Sequence, residues 1–170
     1  LSPVLAELPE TDERPRILYR RQGDRNILVE YGPIVLDLEL RIRVHALMTE
    51  LERLALPGVI DIVPGIRSLQ VHFDPRTLSQ TDLLDAMIAA EERLGALDDF
   101  AIPSRIVHLP LSWKDPAIYE TIAKYEDAVR DDAPWCPDNI EFIRRINGLS
   151  SIDDVERIVF DATYLVMGLG

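Results

Sequence analysis

The sequence predicts an α+β chain in two parts. A small two-layer domain, ordered strand-strand-helix-strand-strand-helix, precedes a second region with too few strands to close a sheet of its own. Three observations carry this. Short strand-like runs come in two pairs, each punctuated by glycine or proline, and an apolar helical stripe follows each pair. A break carrying Asp98, Asp99 and Pro103 then interrupts the pattern between Leu97 and Ser104.

In chain order, residues 1–16 hold Pro3, Pro9 and Pro15 among acidic residues and read as a linker or extended arm. Ile17–Tyr19 and Asn26–Tyr31 read as strands around a turn at Gln22-Gly23-Asp24, and Gly32-Pro33 ends the second. Leu40, Val44, Leu47, Leu51 and Leu54 recur at helical steps, with Asp37 as the cap and Pro57-Gly58 as the stop. Val59–Val63 and Ser68–Phe73 read as strands about Pro64-Gly65. A helix follows Pro75, started by Ser79 with Asp82 and striped by Leu83, Leu84, Met87, Ile88 and Leu94. The expected division is therefore an arm at 1–16, an α+β domain at 17–99 and a further region at 104–170.

In that further region Arg105–Leu111 reads as a strand, Pro116–Arg130 as a helix, and Pro137-Asp138-Asn139 as the start of a helix ending at Asn147-Gly148. Ser151 and Asp154 resemble another helix start, and the β-branched run Val159–Met167 reads as a strand. Two strands among three helices leave sheet edges unpaired, so further strands are expected beyond Gly170. Leu1 in place of Met, and the stop after an apolar run, read as cuts in a longer polypeptide.

Composition excludes several classes. The chain has 170 residues, 47% hydrophobic and 28% charged, which suits packed domains rather than disorder. A net charge of -12 argues against nucleic acid, which needs clustered Lys and Arg. The longest apolar candidate, Ile158–Leu169, is interrupted by Asp161 and Thr163, so no membrane span is expected. The single cysteine, Cys136, excludes an internal disulfide framework and fits a reducing cytoplasm. There is no glycine-rich phosphate loop, nucleophile elbow or zinc spacing, and His45, His72 and His108 lie in separate elements.

Two stretches carry candidate chemistry, each with a structural alternative. In Trp113-Lys114-Asp115-Pro116, Asp115 caps the following helix or accepts N–H donors from a ligand. In Pro134–Asn139, Asp138 or Asn139 caps a helix whose later face carries Glu141, Arg144 and Arg145. Glu141 and Arg145 are spaced to pair. Cys136 has no local base to make it a nucleophile.

Gly23-Asp24 with Ile27–Gly32, then Pro57-Gly58-Val59, Val63–Leu69 and His72–Pro75, resemble the Kip-type family, also called allophanate hydrolase subunit 1. Asp132–Leu149 and Ile158–Gly170 resemble its urea carboxylase branch. The resemblance covers roughly residues 17–170. It implies a small α+β domain followed by the opening of a cyclophilin-like β-barrel. It also implies a part in a biotin-dependent reaction in which ATP and bicarbonate carboxylate biotin on one domain, and a carboxyltransferase passes the carboxyl group to urea, giving allophanate. The expected partners are the preceding half of the carboxyltransferase, the biotin carboxylase and the biotinyl carrier domain, since no ATP site or biotinyl-lysine sequence is present here. A fragment alone is expected to be inactive.

Such a site must orient a urea nitrogen and stabilise charge on an oxygen. Residue chemistry nominates Asp115, Asp138 and Asn139 for N–H recognition, Arg144 as a cation, and Tyr164 as a further contact. The alternatives are a guanidine carboxylase, for which an additional acidic group would suit the cationic substrate, or a Kip-type regulatory binding protein or 5-oxoprolinase subunit.

Overall fold

The structure, a computed structural model, describes residues 2–97 and 100–168. Asp98 and Asp99 of the expected boundary, and Leu169-Gly170, lie outside the described residues. The chain divides into two compact units, Leu1–Pro103 with Val166–Gly170 and Ser104–Leu165.

The first unit is a five-stranded antiparallel sheet with two helices. Its strands are β1 (Val4–Leu8), β2 (Ile17–Gln22), β3 (Asn26–Tyr31), β4 (Val59–Pro64) and β5 (Ser68–Phe73), in spatial order β1-β2-β3-β5-β4. Helix α1 (Leu38–Leu54) lies between β3 and β4 in sequence, and α2 (Gln80–Leu94) follows β5. The alternation that marks the strands is the one that buries them. Ile17, Tyr19, Ile27, Val29, Tyr31, Leu69, Val71 and Phe73 share one face and are fully buried. They form a single core with Leu40, Val44, Leu47 and Leu51 of α1 and Leu83, Met87 and Ala90 of α2. Each such large side chain contributes roughly 1.5–3 kcal/mol by leaving water.

Register follows from local geometry. Gln22 pairs with Asn26 across a turn at Gly23, whose φ of 66° a β-substituted residue adopts with difficulty. Asp37 caps α1 by accepting from the Glu39 and Leu40 N–H groups, and Ser79 caps α2 by accepting from the Asp82 N–H. Gly58 is required by space as well as by its φ of 97°, because an added Cβ would lie 2.7 Å from Leu78 Cβ.

Val4–Leu8 corrects the reading of residues 1–16 as a linker or arm. This segment is an edge strand, with Ala6 opposite Tyr19 and Leu8 opposite Ile17. Both edges carry an irregularity and a charge, at Glu7 in β1 and Asp61 in β4, which discourages pairing with other chains.

Glu50 ties α1 to α2 by pairing with Arg53 on its own helix and Arg93 on the other. The Arg53 guanidinium, joined by Arg93, holds its carboxyl down at about 2. A depressed folded value means that the contribution is present above the unfolded carboxylate range of about 4.3 and is lost as pH falls towards 2. An NMR titration of the Glu50 carboxyl carbon should therefore show a midpoint near 2; a midpoint in the ordinary range would remove the bridge.

The second unit holds α3 (Pro116–Ala128), α4 (Asn139–Ile146) and α5 (Ile152–Asp161), and no strand among its described residues. Both strands expected there are corrected. Arg105–Leu111 takes no regular structure and is exposed throughout, with Ile106 at 85% and Leu109 at 80%. Pairing is what makes a strand, and no described segment supplies its ladder. In Val159–Met167 the β-branched composition gives way to a stronger local signal. Ser151 and Asp154 form a reciprocal capping box that launches α5, which continues to Asp161 and buries Val155.

Candidate functional site

The second unit places the nominated residues at helix termini and turns. Asp115 is the N-cap of α3. Its Oδ1 accepts from the Ala117 N–H at 2.9 Å and its Oδ2 from the Ser112 hydroxyl at 2.9 Å. The Ala117 N–H, then the Ser112 hydroxyl, hold the carboxyl below the usual range, so it stays an anion. Lys114 just before it sits in the left-handed region with φ of 52°, a conformation that costs a non-glycine residue roughly 1–2 kcal/mol. The turn is anchored to α5 through the Trp113 and Phe160 rings, which meet edge-on with centroids 5.8 Å apart.

Asp138 is the N-cap of α4. Its Oδ1 accepts from the Ile140 N–H at 2.9 Å and the Glu141 N–H at 3.0 Å. Both bonds fall on one oxygen, and among the described residues Oδ2 has no hydrogen-bond donor. Asn139 is exposed at the first position of the same helix. The approach to this cap is fixed from three sides. Ala133 is buried, the Trp135 ring packs against Tyr125 of α3, and Arg145 donates to the Pro134 carbonyl at 3.0 Å. Cys136 and Pro137, joined by a cis peptide, complete the loop. Burial, then Glu126, pushes the Cys136 thiol up, so it is not an activated nucleophile.

Arg144 is not a free cation. Its Nε and Nη2 donate to Glu141 at 2.8 and 2.6 Å, and Nη1 donates to the Leu149 carbonyl at 2.8 Å. The expected Glu141–Arg145 pair is thus corrected to Glu141–Arg144, because the shorter helical step allows a two-point contact. Tyr164 is exposed, and its hydroxyl donates to the Val159 carbonyl at 3.2 Å. Asn139 and Arg144 lie on α4, and Asp138 is its N-cap. Asp115 and Tyr164 stand on separate segments of the unit.

The first unit holds a buried polar cluster absent from the sequence-level candidates. Arg43 of α1 and Glu91 of α2 pair at 2.6 Å with side chains 5% and 0% exposed. The Tyr31 hydroxyl donates to Glu91 Oε2 at 2.7 Å, and Arg43 Nη1 donates to the Glu13 and Gly95 carbonyls at 3.0 and 3.1 Å. Burial, then the Glu91 charge, raises both Tyr31 and Tyr19 well above the ordinary phenol range, so both remain neutral. A cleft of about 380 Å³ opens beside the cluster, lined by Thr11–Arg14, Arg43, Glu91, Glu92 and Gly95. Of its charged walls Arg43 and Glu91 are committed to one another, while Arg14 Nε is buried with no hydrogen-bond partner among the described residues. The available sequence signal was a charge within each apolar stripe: Arg43 is three residues from Leu40 and four from Leu47, and Glu91 four from Met87.

Among the described residues no group of three His, Cys, Asp or Glu side chains is placed to hold a metal, and no helix is long and apolar enough to cross a membrane.

The sheet-and-helix unit followed by a capped helical unit defines an α+β protein. Residues 17–170 match the family described as carboxyltransferase domain, subdomains C and D, and the chain belongs to that family. It is 35% identical over 169 residues to a urea amidolyase of Lachancea kluyveri and 31% identical over 170 residues to that of Saccharomyces cerevisiae, covering 99% of this chain each time. The chain spans only 9% of the length of each of those relatives. A crystal structure of Kluyveromyces lactis urea carboxylase superposes with a TM-score of 0.78 at 34% identity, over 100% of this chain and 15% of that one.

Proposed function

We propose that this chain is part of the carboxyltransferase domain of a biotin-dependent urea carboxylase, which moves a carboxyl group from biotin to urea to give allophanate. The observation that carries this is the family match over residues 17–170, joined to relatives named urea amidolyase and urea carboxylase that align along the chain. In this reading ATP and bicarbonate are used on a biotin carboxylase domain, and biotin rides on a carrier domain, both elsewhere in a cytoplasmic polypeptide. Neither Lys114 nor Lys124, the chain's only lysines, is assigned as the biotin attachment point.

The proposed task of the second unit is to position urea. The carrier supplies the carboxyl group; the new bond forms from a urea nitrogen to its carbon, the bond to biotin breaks, and the proton lost from that nitrogen passes to the departing biotin nitrogen. Asp138 Oδ2 is the first choice for holding a urea N–H, because the cap bonds lie on the other oxygen. The exposed Asn139 carboxamide beside it offers both a donor and an acceptor. Asp115 and Tyr164 are further candidates, and Arg144 acts by holding Glu141 and the Leu149 carbonyl in place. The exposed apolar runs at Ile106–Leu111 and Tyr164–Val166 fit strands of a cyclophilin-like barrel whose other strands come from elsewhere in the polypeptide. The test is ADP release by the intact parent enzyme with ATP and bicarbonate, stimulated by urea or by guanidine. The reading expects a higher kcat/KM for urea; a higher value for guanidine would change the substrate.

A further inference from the structure

The polar cluster around Arg43 leaves two donors unspent. Tyr19 is fully buried on the core face of β2, and its hydroxyl has no hydrogen-bond partner among the described residues. The buried Nε of Arg14 has none either. Unmet buried donors are rare in folded proteins, and they are most costly on a charged group. The charges that act on the Tyr19 hydroxyl are those of Glu91, Arg14, Glu92 and Arg43, and all four residues line the cleft of about 380 Å³. Both donors therefore border the same cleft. The phenol keeps its proton, so each offers a hydrogen to an acceptor on a ligand.

The remaining wall has the opposite character. A second cleft, of about 600 Å³, shares Thr11–Arg14 and Arg43 with the first and continues along Leu40, Ile42 and Leu97. Arg43 is committed to Glu91. Asp12, Glu13 and Glu92 in the first cleft, and Glu10 and Glu39 in the second, have no ion pair among the described residues. The turn that carries Asp12–Arg14 is fixed in place. The Thr11 N–H donates to the Arg14 carbonyl at 2.9 Å, and Arg43 Nη1 donates to the Glu13 carbonyl at 3.0 Å.

Charge selects the ligand. A simple anion would satisfy Arg14 and Tyr19 but would meet the unpaired carboxylates. A diamine would suit the carboxylates but would leave both donors unmet. A ligand that fits both walls carries one carboxylate, two cationic groups and an alkyl stem to lie along Leu40, Ile42 and Leu97. Lysine and arginine share that chemistry.

We propose that the joined clefts of the first unit bind a free basic amino acid, with its carboxylate on Arg14 and the Tyr19 hydroxyl, its α-ammonium at Asp12 and Glu92, and its side-chain cation towards Glu10 and Glu39. The proposal does not rest on the reaction proposed above, whose candidate residues belong to the second unit.

The test is equilibrium dialysis of the intact parent polypeptide against radiolabelled L-lysine and, separately, L-arginine. Saturable binding of at least one of them is expected. Cadaverine lacks the carboxylate of lysine, and norleucine lacks its side-chain cation. Each should compete at least about 10-fold less well than lysine, as loss of a charge-assisted contact implies. Tyr19→Phe should weaken binding about 10-fold and leave the thermal unfolding midpoint unchanged or raised, because the hydroxyl it removes has no partner within the fold. Glu92→Gln, at an exposed position, should weaken binding without disturbing the core. Binding that neither substitution alters would lie elsewhere and would overturn the proposal. So would equal competition by cadaverine, which would make the cleft a simple cation site. Absence of saturable binding would overturn it too, by reducing the two donors to hydrated groups.

Discussion

Glu91→Leu is expected to destabilise the first unit by about 3–5 kcal/mol, the range for removing one partner of a buried ion pair. The substitution leaves the Arg43 charge in the core with only the Glu13 and Gly95 carbonyls as acceptors, and strips the Tyr31 hydroxyl of its own. Both groups then lose their counterpart, Arg43 beside the cleft it lines and the Tyr31 hydroxyl in the interior. The double change Arg43→Met with Glu91→Leu should recover much of the loss, because the uncompensated charge is gone. It should not recover all of it, since the carbonyls and the Tyr31 hydroxyl remain unpaired. Thermal unfolding followed by hydrogen exchange of the β2, β3 and β5 amides would measure both variants and the coupling between the sites. A single-substitution cost under 1 kcal/mol, as for an exposed pair such as Arg76–Asp74, would show that the cluster is hydrated rather than buried.

The second large effect is expected at Asp138, where capping and the proposed recognition of substrate can be separated. Serine is a good N-cap, so Asp138→Ser keeps a side-chain acceptor for the first turn of α4 but removes the carboxylate and its unengaged Oδ2. In the intact parent enzyme this variant should lose about 100-fold in kcat/KM for urea while α4 keeps its helical protection, because misplacing a reacting nitrogen by an ångström costs about that much. Asp138→Ala removes both functions and should also cost α4 about 1 kcal/mol. Equal activity of Asp138→Ser and the unaltered enzyme would reduce Asp138 to a cap and move attention to Asn139 and Asp115.

What could be read from the sequence was what short-range chemistry dictates. The paired strands around Gly23 and Pro64-Gly65, the stripes of α1 and α2, and the caps at Asp37, Ser79, Asp138 and Ser151 all follow from spacing within one element. β1 was missed because Val4–Leu8 is a five-residue run between prolines, without strict alternation, and becomes a strand only when β2 offers an edge. The Arg43–Glu91 cluster was missed for a related reason: its partners are 48 residues apart, and neither helix announces the other. In the second unit, Val159–Met167 has strand composition, but the Ser151–Asp154 box acts first and locally. The candidate site was legible as residue types at helix starts. That Asp138 keeps one oxygen uncommitted while Arg144 is spent on Glu141 depends on side-chain geometry that residue spacing does not fix.

The most direct measurement is of the product itself. The intact parent enzyme would be supplied with ATP, 13C-labelled bicarbonate and urea, and the carboxyl carbon followed by NMR. The account predicts a new labelled carboxyl signal from allophanate, dependent on urea and strongly reduced in Asp138→Ser. Biotin carboxylation that proceeds normally while no label reaches urea would contradict it.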